Sequence, residues 1–529
     1  MDDRRRFVEL HAAETISGSA RPGPGLACPA VGPTFSEGNA ARDGLRRSVL
    51  LFVAAAILCM LAAGAAGAAG TRHARHVIST PATPPLRTGL LDPSFAGSDR
   101  QQAFTMAAAT GATYVRLSVD WRALAPATRP TGFQAADPTS TGYDWTGLDS
   151  VLSQADAAGL TPILDISTVP DWAYATPPKA PNGGTPRAAD LGDFAKALAT
   201  HYDGTTPNVP AEHVFQVWNE PNLSLDLNPV NANAYRGLVN AVAGAVHAVD
   251  PANLVVAGGL DPFGHKKKKN QKWYSTAPLA YMRSLLCLSK GTHPHATCSK
   301  PIKFDVWSHH PYTFGGPFGH AKNPDDVELG DLPKMRTLLK AGKRLHHIVS
   351  ARATQFWVTE FGWDTNPPRR HAASLNLASR WTAESLHQMW LSGVSLVTWF
   401  LLQDYPGRSP YQSGLYFHTR SLVDARAKPV LTAFRFPFVA YLGKKTVSVW
   451  GRDATSTRQL VAVQRSHHRG GPWSTVATLR ANAAGLFKAT LRLKATKKDW
   501  LRAVAPDSGK SLAFSLTVPH APHIGPWGN

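Results

Sequence analysis

Acidic side chains are scarce in this 529-residue chain: 36 Asp and Glu stand against 56 Lys and Arg, a formal charge of +20 and a pI near 9.9. Such an imbalance invites a nucleic-acid partner, yet no helix-turn-helix, zinc-finger or RNP-type signature is present, so no nucleic acid is implied. An anionic surface, such as acidic envelope polymers or lipid headgroups, accounts for the charge better. The chain also lacks a glycine-rich loop after its first strand-like segment, where it reads "LLDPSF". That excludes a doubly wound dinucleotide-binding sheet. Cysteine is rare too. Of four, Cys28 lies in the N-terminal tail, Cys59 in an apolar segment, and Cys287 and Cys298 bracket the loop "CLSKGTHPHATC". Outside the cytoplasm that pair is expected to close a disulfide. His293 and His295 between them leave zinc as an alternative, at a spacing that matches no standard zinc pattern.

Apolar residues make up 43% of the chain and charged ones only 17%, enough for an ample core, and the length suggests two or three domains. Tryptophan is plentiful, with fifteen copies. They either fill a large core or offer flat faces to sugar rings. The basic run "HKKKKNQK" (265–272) follows a strand-like segment and reads as a solvated loop or as a contact for an acidic ligand.

Residues 1–47 form a polar leader with Arg4, Arg5, Arg6, Arg42, Arg46 and Arg47. The segment 48–70 carries no charge and is long enough to span a bilayer, with the arginines holding its start inside. Its small-residue end also offers cleavage sites such as Ala63-Gly64-Ala65, so a membrane anchor and a cleaved signal both remain open. Either way the chain beyond 71 is expected outside the cytoplasm, with a short linker over 71–85.

Strand-like and helix-like segments then alternate eight times over 86–436, the count for a (β/α)₈ barrel. The strands are expected at the 88 region, 113–119, 161–167, 214–219, 254–260, 304–310, 355–362 and 395–402. Gly393 is placed to end the last long helix before the eighth strand. A long insertion covers 261–303. From 440 to 520 the pattern changes to short alternating runs between turns, which predicts a small antiparallel β-sandwich, either a spacer or a surface-binding module. Residues 521–529 are left as a tail.

The fourth strand ends in "VFQVWNEPN" (214–222). Its apolar run suits a strand buried on both faces, and Pro221 cannot continue a ladder, so Glu220 falls at the carboxyl end. The seventh strand ends likewise in "WVTEFGWD", with Glu360. Strands four and seven lie across a barrel mouth from one another, so the two carboxylates can converge, as glycoside hydrolysis requires.

"WNEPN" and "TEFGW" resemble the clan A retaining glycoside hydrolases, "VWNEPNL" most nearly those of family 39, while "TEFGWDTNP" is similar to family 5 relatives. The resemblance covers 86–436. It implies Glu220 as acid/base and Glu360 as nucleophile, with Asn219 on the sugar 2-hydroxyl. It also implies Arg116 as the strand-two arginine beside the nucleophile, His310 and Tyr312 in "SHHPY" as the His/Tyr pair there, and Trp399 as a sugar platform. His309, on the alternate face, reads as structural. Trp121, Trp172 and Trp363 follow strands and either line the cleft or pack the barrel top. Glu220 must start protonated and Glu360 ionised, through burial of the first and donors such as Tyr312 and Arg116 to the second. No metal or organic cofactor is implied. The partner is a carbohydrate, with an acidic glycan suited to the basic chain. A transglycosylase or a non-catalytic carbohydrate-binding protein on the same scaffold are the rival readings.

Overall fold

The computed structural model describes residues 77–267, 271–407, 411–455, 457–519 and 523–526. The leader, the apolar segment 48–70 with its anchor-or-signal reading, and the centre of the lysine run lie outside the described residues. Among those described, no helix is long and apolar enough to cross a membrane.

Eight parallel strands close a barrel: β1 (Arg87–Leu91), β2 (Tyr114–Val119), β3 (Thr161–Ile166), β4 (Val214–Val217), β5 (Leu254–Leu260), β6 (Val306–His309), β7 (Gln355–Phe361) and β8 (Leu396–Phe400). Each is followed by a helix: α1 (Arg100–Ala109), α2 (Thr146–Ala157), α3 (Ala188–His201), α4 (Ala232–Val249), α5 (Pro278–Leu286), α6 (Leu332–Arg344), α7 (Leu375–Leu391) and α8 (Pro429–Arg435). This is the expected (β/α)₈ barrel, and every anticipated strand is present. The strands are almost wholly buried because helices cover them outside and side chains fill them inside. Ile163, Val214, Val256, Val306, Trp357 and Leu396, one from each of β3 to β8, plug the lower interior.

Local chemistry sets the helix ends. Asn231 caps α4 by accepting from the Asn233 and Ala234 amides, and Ser374 caps α7 through Leu377 N. Gly393 stops α7 in the left-handed region at φ +86°, and the Val394 amide turns back to Met389 O.

Beyond the barrel come β9 (Phe438–Leu442), β10 (Thr446–Arg452), β11 (Leu460–Ser466), β12 (Ser474–Arg480), β13 (Leu486–Arg492) and β14 (Trp500–Ala505). They form two antiparallel sheets, β9-β10-β13 and one built on β12-β11-β14. The predicted sandwich is there, with one strand from an unexpected source. Val77–Ser79, read as linker, pairs in parallel with Thr478–Arg480 at the sheet edge. Three residues are too few to show a period, so the strand was invisible until its partner was in place. Cys287 and Cys298 form a disulfide, Cα atoms 5.2 Å apart, which accounts for both cysteines of the zinc alternative.

Candidate active site

Site residues sit where strands end. On β2 the inward positions are Tyr114, Arg116 and Ser118, and on β3 Ile163 and Asp165, by the two-residue period of a strand. Arg116 is 3% exposed and forks among three acceptors: Nη1 donates to Glu360 Oε2 (3.1 Å), and Nη2 to Asp165 Oδ2 and Asn219 Oδ1 (both 2.7 Å). Burial alone would lower the Arg116 pKa, but the carboxylates of Asp165, Glu360 and Glu220 outweigh it and hold the guanidinium above its ordinary value. It stays charged. Asp165 is raised by its own burial, against the pull of Arg116.

Glu220 reaches the mouth by a strained backbone. After β4, Trp218 has φ +72° and Glu220 φ +36°, both in the region non-glycine residues avoid. Three contacts hold the turn: the Trp218 amide donates to Ile166 O, the Glu220 amide to Gly259 O, and the Trp218 indole to Asp226 O, all at 3.1 Å. Asn222 pins its far side by donating to Asp261 O and Thr276 O. Asn219 is oriented at both ends, accepting from Arg116 and donating to Asp226 Oδ1 at 2.9 Å.

Glu360 is aimed by an irregularity. Trp357 points into the barrel plug, so strict alternation would turn Glu360 outward. The β7–β8 register shifts between Val358 and Phe361, and Glu360 swings in beside Thr359. Tyr312, after β6, donates its hydroxyl to Glu360 Oε1 at 2.8 Å. Burial, then the Glu360 charge, push the Tyr312 pKa well up, so it remains a donor. His310 Nδ1 lies 2.8 Å from Glu220 Oε1 and 3.9 Å from Glu360 Oε2, while its Nε2 meets Thr359 Oγ1 at 3.1 Å. One imidazole nitrogen thus touches both carboxylates, and its hydrogen bond is to the acid/base candidate rather than to the nucleophile candidate. His309 faces away, bonded to Val327 O, and burial pushes it down to about 4.

The structure therefore brings Glu220, Glu360, Asn219, Arg116, His310 and Tyr312 together. No described contact joins any of the four tryptophans to this group. Trp399 alternates with inward-facing Leu396, so it points to the helix layer, packed on Phe361 and Phe434 with its indole N–H on Ser413 O. Its neighbour Phe400 takes the inward place, in an apolar wall at the mouth with Tyr312, Trp273, Phe263 and Tyr411. Trp121 stacks on Phe194 at 4.8 Å, and Trp363 packs on Trp381 and donates to Ser385 Oγ. Both are core. Trp172 is half-buried, tied to Pro126 O and lying under Arg129.

Asp165, Asp226, Thr359, Phe400 and Trp273 are site residues that sequence reasoning missed. For Asp165 a signal existed, a carboxylate inside an otherwise apolar strand. The tail also reaches the mouth. Gly315 N donates to Ile524 O (2.9 Å), Asp364 N to Pro526 O (2.7 Å), and His523 stacks on Phe314.

A family model described as Cellulase (glycosyl hydrolase family 5) matches residues 84–401. No curated protein matches the chain. Among solved structures, a GH39 enzyme from Xanthomonas axonopodis pv. citri is similar at 16% identity and a TM-score of 0.46, over 80% of this chain and 96% of that one. A monomeric beta-xylosidase from Caulobacter crescentus shows 18% identity and a TM-score of 0.47, over 79% and 100%. The cellulose synthase subunit Z of Clostridioides difficile shows 12% identity and a TM-score of 0.40, over 66% and 99%.

Proposed function

The chain belongs to glycosyl hydrolase family 5 and is a glycosidase, and from that premise we propose that it cleaves O-glycosidic bonds of a poly- or oligosaccharide by double displacement with net retention. The single observation that carries the mechanism is the shared imidazole: Glu220 and Glu360 both lie against His310 Nδ1. That closeness suits the carboxylate pair of a retaining enzyme, about 5–5.5 Å apart, better than the wider gap that admits a water between them.

The roles follow from the partners. Glu360, with the Arg116 guanidinium and the Tyr312 hydroxyl donating to it, is the group held ready as a carboxylate, and it attacks the anomeric carbon. Glu220, whose described partner is the His310 imidazole, gives its proton to the departing oxygen. It then takes one from the water that hydrolyses the glycosyl ester. Asn219, fixed at both ends, presents its amide beside the acid/base, where a sugar 2-hydroxyl is expected. Arg116 already commits both Nη groups to Glu360, Asp165 and Asn219, so the acidic-glycan expectation draws no support from this cation. The Cys287–Cys298 disulfide supports action outside the cytoplasm.

The test is trapping of the full-length protein with a panel of 2,4-dinitrophenyl 2-deoxy-2-fluoro glycosides. One glycosyl unit is expected on Glu360, located by peptide mapping. A first-formed product of inverted anomeric configuration, read by NMR, would overturn the double displacement.

A further inference from the structure

The excess positive charge of this chain is not spread evenly. The barrel span 86–436 is nearly balanced, with 33 Lys and Arg against 27 Asp and Glu, whereas residues 440–520 carry 14 against three. Two of those three carboxylates are inside. Asp453 is 2% exposed, and Asp499 is fully buried and joined to Arg465 and His467. Asp507 alone is exposed.

Strand register gathers the cations at one end of the sandwich. The β9–β10 hairpin turns at 443–445, and Thr446 at its foot pairs with Arg492, the last residue of β13. The chain then crosses between the sheets over 493–499 and enters β14 at Trp500, which pairs with Ser466 at the end of β11. The β11–β12 connection, 467–473, therefore leaves from that same end. The first connection exposes Lys444 and Lys445, the second Arg469, and the third Lys494, Lys497 and Lys498, with Arg492 also exposed beside them. No exposed carboxylate stands among these cations, since Asp507 follows the far end of β14. Like charges gathered without a counter-charge repel one another, and an anionic partner relieves that repulsion.

We propose that this end of the sandwich binds an acidic polysaccharide through its anionic groups and holds the enzyme against it. The three connections expose no large apolar side chain to insert into a bilayer. Nor do they offer the open aromatic platforms on which bases stack, because Trp473 carries Arg502 at 4.2 Å and Trp500 carries Arg469 at 5.9 Å. A chain of charged sugars requires neither feature. It needs cations in series, and the lysines supply them as point charges on flexible stems. The site uses neither Glu220 nor Glu360, so it stands apart from the double-displacement reading.

The test measures binding of the full-length protein to polygalacturonate and dextran sulfate, with neutral dextran as the uncharged match. Three double variants are compared: Lys444→Gln with Lys445→Gln, Lys497→Gln with Lys498→Gln, and, at the opposite end of the sandwich, Arg458→Gln with Lys510→Gln. Each removes the same charge. The first two are expected to weaken binding of an acidic polymer about tenfold at low salt and to flatten its salt dependence, while the third stays within twofold of the parent. The preferred polymer names the anion, carboxylate or sulfate ester. All three should keep kcat/KM on a dinitrophenyl glycoside within twofold. Binding by the first two variants equal to the parent's overturns the proposal. So does an equal loss in the third, which would reduce the effect to net charge. Tighter binding to phosphatidylglycerol vesicles or to DNA, at the same concentration of anionic groups, would also overturn it and assign this end to a membrane or a nucleic acid.

Discussion

Replacing Tyr312 by Phe isolates one interaction at Glu360, the proposed nucleophile. The ring keeps its packing against Phe361, at 6.1 Å, and only the hydroxyl 2.8 Å from Glu360 Oε1 is lost. Glu360 retains its Arg116 contact at 3.1 Å, so the buried carboxylate is not stranded and the fold should be little disturbed. A hydrogen bond to an ionised group is worth about 1.5–3 kcal/mol, which is about 10- to 150-fold in rate if it is needed to present the attacking carboxylate. The expected result is that loss in kcat/KM on a dinitrophenyl glycoside, with Tm within about 2 °C of the parent. Removing a donor disfavours the ionised form, so the acid limb of the pH profile should also move to higher pH. A general loss of packing would lower activity without moving that limb. If Tyr312→Phe stays within twofold of the parent on every aryl glycoside, the hydroxyl does not hold the nucleophile and the assignment fails.

Three further outcomes follow from the same structure. Glu220→Ala should lose about 10²–10⁴-fold on an unactivated glycoside but far less on a dinitrophenyl one, with azide restoring turnover; equal losses on both would remove its acid role. Glu212 is 3% exposed, and burial, then Asp156, push it up to about 9. The native state therefore keeps a proton that the unfolded chain has released above about 4.5, and stability falls by about 1.4 kcal/mol per pH unit from there to about 9. Glu212→Gln should be the more stable at pH 8 and converge with the parent near pH 4.5; a Tm gap independent of pH would contradict this. Ending the chain at Pro519 removes the two tail carbonyls bonded at Gly315 and Asp364. At about 1 kcal/mol each, their loss should raise kcat/KM on polysaccharide by at most about 30-fold, and no rise at all would mean the tail does not obstruct the mouth.

The barrel was legible because its signals repeat: eight apolar runs, eight helices, and glutamates at the ends of the fourth and seventh strands. What could not be read was local aim. Resemblance pointed to Trp399 as the sugar platform, yet the period of two already contradicts it. Leu396 belongs to the interior plug, so Thr398 and Phe400 share its side and Trp399 does not. Glu360 shows the opposite case, since the same period counted from Trp357 would turn it out of the barrel. Only the register shift before Phe361 brings it in, and nothing in "WVTEFGW" announces a bulge. Alternation is thus trustworthy where a strand runs regular and fails at the strand ends where chemistry is built. The positive φ of Trp218 and Glu220 belongs to that same zone, because a side chain at the end of β4 reaches the mouth only by leaving strand geometry. Contacts from distant segments were equally hidden. Asp226 on Asn219 and Thr359 on His310 are short polar residues in unremarkable positions, and their roles exist only once the loops are folded over the mouth. The sequence thus names the two glutamates proposed to react and the donors nearest them, Arg116, Tyr312, His310 and Asn219, while the register shift of β7 and the supports from Asp226 and Thr359 emerge from the packing.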